Sequence, residues 1–276
     1  MIPSAHRNIY PSTGTWLLLL LALVALSACA RGPFGLAFEG DEYSRLEQRF
    51  TSYQSSYAPC PASFDGEVIV EWSHSLKRTS FSGYFKTLLP NSLQFTALSP
   101  LSQPLYALSS NGNWFQSVDV TKRIFRKGSL RSFAIRHEIP ITLLAGEWGA
   151  WLAGRPLSTA PYVINIHADR DNRGIWFAVA AGPDKTIPKE FTLVNFDDQR
   201  IVERAISDSQ GKTEAVIRYE EWQPLGECLQ PMQLSLSGLS FGAEATLKFR
   251  DIQRANLSET DFNLPIPPGY KRQFLP

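Results

Sequence analysis

A serine between two glycines comes closest to a catalytic pattern in this sequence. Residues 238–242 read Gly-Leu-Ser-Phe-Gly and match the G-x-S-x-G motif, in which the serine is the nucleophile of a hydrolase. That chemistry needs a strand-to-helix turn at the serine, and an aspartate and then a histidine later in the chain. None of the four histidines follows Ser240, and the flanking residues alternate as in a strand. We therefore interpret the match as fortuitous.

Other reactive side chains also lack the partners that their chemistry needs. His137 and Glu138 match the first two residues of the zinc motif H-E-x-x-H, but isoleucine occupies position 141, where the second histidine is required. Glu220 and Glu221 are adjacent in a predicted strand, so they would point to opposite faces. No glycine-rich phosphate-binding loop is present. The sequence therefore predicts no catalytic residue, no metal site and no cofactor.

The composition points to an ordinary globular protein without a strong electrostatic field. The formal net charge is +1, which gives no general attraction for nucleic acid. Apolar residues make up 43% of the chain, enough for a substantial core. The length fits one large β domain or two small ones.

The amino terminus has the three parts of a signal peptide. Arg7 lies in a short polar stretch, an apolar run extends from Trp16 to Leu26, and small residues precede Cys29. A short transmembrane anchor is the alternative, but the run is shorter than the ~20 residues that span a bilayer. The sequence therefore predicts a signal peptide over residues 1–28.

The segment Leu26-Ser27-Ala28-Cys29 resembles the lipobox of bacterial lipoproteins. The resemblance implies that the thiol of Cys29 receives a diacylglycerol, that the preceding peptide is removed, and that the new amine is acylated. Several acyl chains anchor a protein stably to a membrane. By resemblance to the sorting rule of Gram-negative lipoproteins, alanine rather than aspartate at position 30 favours the outer membrane, with the protein facing the periplasm. Residues 29–40 would then be a lipidated tether.

Two further cysteines, Cys60 and Cys228, lie far apart in the sequence. In an oxidising compartment they are candidates for one disulfide that closes a long loop. The alternative is two separate buried thiols.

The remaining pattern predicts one domain over residues 41–276. Asp41 to Tyr53 is typical of an amphipathic helix, and from Asp65 onward apolar residues recur with a period of two. Asn111-Gly112 between apolar runs is a strong hairpin signal. About ten strands are expected. We predict a mainly β fold, in which a few helices cover the concave face of a single, strongly curved antiparallel sheet.

Two segments depart from the strand pattern. Between Ser129 and Gly154 the apolar spacing of three and four residues predicts a helix, interrupted at Pro140, Gly146 and Gly149. Just before and within this segment the chain is rich in cations, which are Lys122, Arg123, Arg126, Lys127, Arg131 and Arg136. This cluster is either a solvated rim or a patch that meets anionic lipid headgroups.

Residues 66–156 resemble the LolB family of outer-membrane lipoprotein receptors, and more loosely the periplasmic carriers of the LolA family. The matching features occur in the family's order, and they are Gly66-Glu67-Val68, Phe81 and Phe85, Ser99-Pro100-Leu101-Ser102, Ile139-Pro140-Ile141, Trp151-Leu152 and Gly154-Arg155-Pro156. Ser102 replaces a glycine of the family, and beyond Pro161 only the strand pattern is compatible.

The resemblance implies an incomplete β-barrel whose concave side is an apolar cavity for acyl chains. Such a protein would take lipoproteins or lipids, delivered by a periplasmic carrier similar to LolA, and pass them into the membrane that holds it. The matching cavity residues are Val68, Val70, Phe81, Phe85, Leu93, Phe95, Leu144 and Trp148. The alternative is that these side chains fill an ordinary core. The rival hypothesis is an envelope scaffold that binds a protein partner and transfers no lipid.

The same resemblance gives a role to the turn formed by Pro100, Leu101 and Ser102. In the family, the matching leucine protrudes into solvent and helps insert cargo into the membrane. Two prolines flank Leu101 closely, so the segment is not the middle of a strand. The alternative is that Leu101 folds back onto Leu98 or Leu105.

Overall fold

The structure, a computed structural model, describes residues 33–74, 77–137, 139–144, 146–157, 162–180, 187–239 and 242–276. The predicted signal peptide, Cys29 and residue 30 lie outside these ranges. Residues 35–276 belong to one unit, which holds the sheet. Within the described ranges, no helix is both long and apolar enough to cross a bilayer.

The first half of the described chain is mostly extended. In chain order its elements are β1 (Phe34–Ala37), α1 (Gly40–Ser55), β2 (Ser63–His74), β3 (Lys77–Leu88), β4 (Ser92–Leu98), β5 (Pro104–Ser110), β6 (Trp114–Asp119) and β7 (Ile124–Ser129). Three short helices follow, which are α2 (Leu130–His137), α3 (Ile141–Leu144) and α4 (Trp148–Leu152).

The second half returns to strands. These are β8 (Tyr162–Asp169), β9 (Ile175–Ala180), β10 (Glu190–Asn195), β11 (Arg200–Ser207), β12 (Thr213–Leu225), β13 (Cys228–Leu239) and β14 (Ala243–Arg254). A 3-10 helix (Glu259–Phe262) leads to the last strand, β15 (Lys271–Leu275).

All fifteen described strands join one curved sheet that does not close into a barrel. The spatial order is β1-β8-β9-β10-β11-β12-β13-β14-β2-β3-β4-β5-β6-β7-β15. Where the register is defined, neighbours are antiparallel, except for the parallel pair of β7 and β15. The predicted fold, a single curved antiparallel sheet in the form of an incomplete barrel with helices on its concave face, is confirmed.

The expected number of about ten strands was too low. Strand β1 lies within the segment predicted as a tether, and β15 lies in a tail where no regular element was expected. Both are short edge strands of four and five residues, too short for a clear alternation of apolar and polar residues. Backbone pairing with β7, supported by Arg126 Nε donating to Gln273 Oε1 at 3.0 Å, holds β15 in place.

Helix α1 confirms the amphipathic pattern and extends slightly beyond the predicted bounds. Its buried residues are Leu46, Phe50 and Tyr53. The Phe50 ring stacks on Phe177 of β9 with centroids 4.3 Å apart, and Tyr53 meets Phe196 edge-on at 5.9 Å. Aromatic packing of this kind fixes the helix against β9 and the end of β10.

The helical segment after β7 is interrupted, as predicted, but Gly149 is not one of its breaks. This glycine lies inside α4, and its N–H donates to the carbonyl oxygen of Pro90 at 2.9 Å. A Cβ at position 149 would lie 2.8 Å from that oxygen. Glycine is therefore required because the helix backbone approaches the β3–β4 connection so closely.

Asp169, at the end of β8, is a buried hub for hydrogen bonds. Its carboxylate accepts the backbone N–H groups of Asp171 and Arg173, the Arg173 guanidinium, and Trp176 Nε1. Arg173 also donates to Glu203 Oε2 at 2.8 Å. Burial alone would raise the pKa of Asp169, but these donors outweigh it, and the pKa is lowered.

Changing Asp169 to asparagine will lower the free energy of unfolding at neutral pH by about 2–3 kcal/mol, because a charged acceptor of several buried donors is lost. The pKa of Asp169 is lower in the folded protein than in the unfolded chain, where it is about 3.9. The stabilisation is therefore present above pH ~3.9 and is lost as the pH falls through the lower pKa of the folded protein. The free energy of unfolding of Asp169→Asn will therefore fall less with decreasing pH than that of the wild type. Urea unfolding across that pH range measures both effects.

The matched control is Asp171→Asn, since the Asp171 side chain is 79% exposed and lies 4.0 Å from Arg173. A surface pair of this kind contributes less than about 1 kcal/mol. Equal losses in the two variants, or a loss in Asp169→Asn that does not vary with pH, would contradict the role of Asp169 as a charged hub.

Candidate functional site

Most of the apolar residues expected to line one cavity lie in one core cluster. Val68 and Phe85 are fully buried there. Four others are partly buried against the same cluster, and they are Val70, Leu93, Phe95 and Trp148. The Phe81 ring lies 5.9 Å from that of Phe95, and Leu144 is half-buried in α3. Strands β2–β4 and the short helices thus contribute to a common interior.

Aromatic rings fill much of this interior. The Phe85 ring lies 5.9 Å from Phe64 and 4.8 Å from Phe249, centroid to centroid. Phe64 is completely buried, and Phe249 is 5% exposed. Protein interiors are normally packed this closely. An apolar ligand that entered between these rings would have to displace them.

Two tryptophans join the short helices to the interior. Trp148 and Trp151 of α4 meet edge-on with centroids 5.2 Å apart. Trp148 Nε1 donates to the carbonyl oxygen of Leu143 at 2.7 Å, which ties α4 to α3. Trp151 is 1% exposed and donates to Glu190 Oε2 at 3.2 Å. The helices are therefore held by side-chain hydrogen bonds as well as by apolar contact.

A buried ion pair lies beneath α4, and sequence reasoning missed it. Arg204 Nη1 lies 2.6 Å from Glu190 Oε1, and both side chains are essentially inaccessible to solvent. Glu190 also accepts the Thr192 hydroxyl at 2.8 Å. Arg204 Nη2 donates to the carbonyl oxygen of Arg155 at 2.5 Å. Strand β11 carries Arg200 and Glu203 as well as Arg204, so the sequence does not reveal which acid and which base meet.

Arg155 adds a second buried cation next to this pair. Its Nη1 donates to the carbonyl oxygen of Pro61 at 2.6 Å, and the residue is 3% exposed. Burial lowers the pKa of Arg155 to about 10, so the guanidinium stays protonated at neutral pH. The sequence resemblance matched Arg155 only as part of the Gly154-Arg155-Pro156 segment. The structure makes it the link between α4 and the start of β2.

An open apolar groove lies between α2 and the segment from Ile139 to Ile141. Its volume is about 730 Å³, within the range of small-molecule sites. Ile135 and Ile141 are 73% and 43% exposed, respectively. Arg131 and Glu214 also line the groove, and the Thr142 hydroxyl hydrogen-bonds to the Glu214 carboxylate. The groove combines exposed isoleucines with one cation and one carboxylate.

Residues 99–103 form a tight turn that presents Leu101 to solvent. The Ser99 N–H donates to Gln103 O at 2.8 Å, and the Ser99 hydroxyl oxygen accepts the N–H groups of Leu101 and Gln103. Ser102, which replaces a glycine of the LolB family, has a φ of 58°. This left-handed conformation is one that glycine adopts more readily than serine.

Leu101 is 81% exposed, and Pro100 and Ser102 beside it are exposed as well. The alternative in which Leu101 folds back onto Leu98 or Leu105 is therefore wrong. Full burial of a leucine side chain is worth about 1.5–3 kcal/mol, which this turn leaves unrealised.

A disulfide joins Cys60 to Cys228, with Cα atoms 5.7 Å apart. Cys60 lies in the connection from α1 to β2, and Cys228 begins β13. The bond links positions 168 residues apart in sequence. The alternative of two separate thiols does not describe this structure.

Parts of the remaining sequence motifs lie outside the described residues. Ser240 and Phe241 of the G-x-S-x-G match lie outside them, and β13 is extended up to Leu239. Among the described side chains, no group of three His, Cys, Asp or Glu residues is placed to hold a metal ion.

Comparison with known proteins gives a likeness in structure but not in sequence. No protein-family model matches the chain, and no curated protein is significantly similar in sequence. A solved LolA superfamily protein from Nitrosomonas europaea is similar in fold, with a TM-score of 0.56 and 13% identity, over 79% of this chain and 97% of that one. A DUF1329 family protein from Desulfovibrio piger has a TM-score of 0.52 and 9% identity, over 79% of this chain and 95% of that one. At such identities the likeness establishes the fold alone.

Proposed function

We propose that this protein is a lipid-anchored lipoprotein of the bacterial outer membrane, facing the periplasm, that binds acyl chains and inserts lipoproteins or lipids into that membrane. The observation that carries the proposal is the combination of a half-open, helix-covered sheet with an exposed leucine at the tip of one of its turns. A LolA superfamily protein of the same fold supports it. The anchor would be the acylated Cys29, and no catalytic step is involved.

Acyl chains would bind between the short helices and strands β2–β4. The groove beside Ile135 and Ile141, which Glu214 of β12 also lines, presents apolar side chains to solvent and would be the point of entry. A chain entering there would reach the interior beneath α4 by displacing the helices or the aromatic side chains. The incoming cargo would arrive on a periplasmic carrier similar to LolA.

A second function, an envelope scaffold that binds a protein partner, is favoured by one observation. The interior around Phe85 is packed with the protein's own rings, as in a protein that holds no ligand. Pull-down of the intact lipoprotein separates the two functions. A stoichiometric protein complex that survives delipidation favours the scaffold, whereas lipid or lipoprotein that purifies with the chain favours the carrier.

Photo-cross-linking tests where acyl chains bind. A photoreactive amino acid at Ile141 or at Phe85 should label added fatty-acyl lipid. Tyr84 is the matched control, because it is adjacent to Phe85 on the opposite face of β3 and is 51% exposed. Labelling at Ile141 and Phe85 but not at Tyr84 supports the acyl site. Equal labelling at all three positions, or none, would rule it out.

The change Leu101→Glu will slow cargo transfer to the membrane about tenfold or more while leaving cargo binding intact. The physical reason is that a leucine entering a bilayer regains about 1.5–3 kcal/mol, and each ~1.4 kcal/mol corresponds to a factor of ten in rate. Because the side chain is 81% exposed, the free energy of unfolding should change by less than about 0.5 kcal/mol. Transfer of a fluorescent lipoprotein into vesicles measures the rate.

Trp114→Glu is the control for this variant. Trp114 is 52% exposed and lies at the opposite end of the β5–β6 pair from the Leu101 turn. Transfer should be unaffected by this change. If both variants transfer at the same rate per folded molecule, Leu101 has no insertion role.

A further inference from the structure

We propose that the end of the sheet that carries the Leu101 turn is a docking surface for membranes with anionic phospholipid headgroups. The docking surface consists of Leu101, Leu105, Val120, Lys122, Arg123 and Lys271. It brings together residues from three separate parts of the sequence. Three are apolar and three are cationic, and all six are exposed.

Strand pairing brings the apolar members together. The Val120 N–H donates to the carbonyl oxygen of Leu105 at 3.0 Å, so the turn after β6 lies beside the start of β5. The Leu101 turn connects β4 to β5 on the other side. With neighbouring strands ~4.8 Å apart, the two turns are separated by about 10 Å. Leu105 and Val120 are 39% and 37% exposed and extend the apolar tip that Leu101 begins.

Backbone pairing also brings the cations to this end. Lys122 and Arg123 form the turn between β6 and β7, and the Lys271 N–H donates to the carbonyl oxygen of Arg123 at 2.9 Å. The Lys122 side chain is 69% exposed, although its Nζ lies 3.6 Å from the carboxylate of Asp119. The Asp119 carboxylate also accepts the Thr121 hydroxyl and the Lys122 N–H, and it offsets part of the Lys122 charge, so Arg123 and Lys271 supply most of the positive charge at this end.

The basic cluster seen in the sequence is therefore divided by the fold. Arg126 bonds to Gln273 within the sheet, and Arg131 belongs to the groove beside α2. Lys122 and Arg123 are left at the sheet end, where Lys271, distant in sequence, joins them. Cations around an apolar tip match the chemistry of an anionic bilayer, because the tip enters the apolar layer while the cations stay at the level of the headgroups.

Vesicle binding of the mature chain, residues 29–276 with Cys29→Ala, tests this surface, because that chain lacks both the apolar signal peptide and the predicted lipid anchor. The probes are vesicles of phosphatidylcholine alone and of phosphatidylcholine mixed with phosphatidylglycerol. Each cation near an anionic surface contributes a factor of about five, so Arg123→Gln/Lys271→Gln should bind the mixed vesicles about 25-fold more weakly. Its binding to phosphatidylcholine should be unchanged, and added salt should abolish the difference between the two lipids.

Arg45→Gln/Arg254→Gln is the charge-matched control, since both side chains are exposed and lie away from the sheet end. Thermal unfolding of each variant establishes that it is folded. Equal weakening by the two double variants, or no weakening by either, would overturn the docking surface.

The surface rests on the proposed function, because only a membrane-associated protein would use it. If Arg123→Gln/Lys271→Gln loses the preference for anionic vesicles but still transfers cargo, the docking surface is supported. If the wild-type protein fails to bind acyl chains, the proposed function is refuted, but the result with vesicles is unaffected.

Discussion

Changing Glu190 to glutamine will lower the free energy of unfolding by about 3–5 kcal/mol. Glu190 and Arg204 form an ion pair at 2.6 Å that is completely enclosed by protein. Glutamine keeps the shape of the side chain but removes its charge, which leaves the Arg204 cation buried without a counter-charge. Among the described residues, Glu190 is the carboxylate that pairs with Arg204, and the neighbouring Arg155 is a second cation, so the lost charge is not replaced. Equilibrium unfolding in urea measures the loss.

Two comparisons separate this effect from a general loss of stability. Glu42→Gln makes the same chemical change in the exposed pair with Arg45, where both side chains are at least half accessible, so it should lower stability by less than about 1 kcal/mol. In the double variant Glu190→Gln/Arg204→Met the buried charge is gone, so part of the stability should return. If Glu190→Gln unfolds at the same midpoint as Glu42→Gln, the buried pair does not hold α4 and the sheet together.

Removing the disulfide is expected to have an effect of similar size. The change Cys60→Ser/Cys228→Ala should lower the free energy of unfolding by about 4 kcal/mol, because the bond closes a very long loop and restricts the unfolded chain. The bond spans 168 residues, from the α1–β2 connection to the start of β13. Alanine is used at position 228 because Cys228 is buried.

Reductant provides the control within the wild-type protein. In dithiothreitol the wild type should unfold at the same urea concentration as the double variant, and reductant should not affect the variant. A wild-type midpoint that is the same with and without reductant would mean that the two sulfurs are not bonded in the folded protein.

The sheet could be predicted from the sequence because period-two alternation is a local property of each strand. The helix at Gly40–Ser55 and the break after β7 could also be predicted, because a change from strand to helical periodicity is likewise a local property of the sequence. Strands β1 and β15 were not, since each is short and takes its conformation from a neighbour that is distant in sequence. Parallel pairing of β15 with β7, for example, depends on contacts over more than 140 residues and leaves no local pattern.

The candidate site was predictable only in its apolar part. Phe85 and Phe95 alternate along their strands, which places them on the inner face of the sheet. Two flanking prolines indicated only that Leu101 is not in the middle of a strand, and its exposure was implied by the family resemblance. The buried pair of Glu190 and Arg204 was not predictable, because its members lie on different strands and charged residues are normally taken as exposed. Nor does the sequence show that Lys271 joins the turn at Arg123.

The central claim, that this protein binds acyl chains, is tested most directly by mass spectrometry of the folded Cys29→Ala chain purified from the envelope. The lipobox signal peptide is replaced by one that is cleaved without acylation, so any acyl lipid detected is a ligand of the folded chain and belongs neither to the anchor nor to the signal peptide. The account predicts a lipid or acylated peptide that purifies in a fixed ratio to the protein and that added fatty acid displaces. A folded protein that carries no lipid and takes up none when fatty acid is added would contradict it.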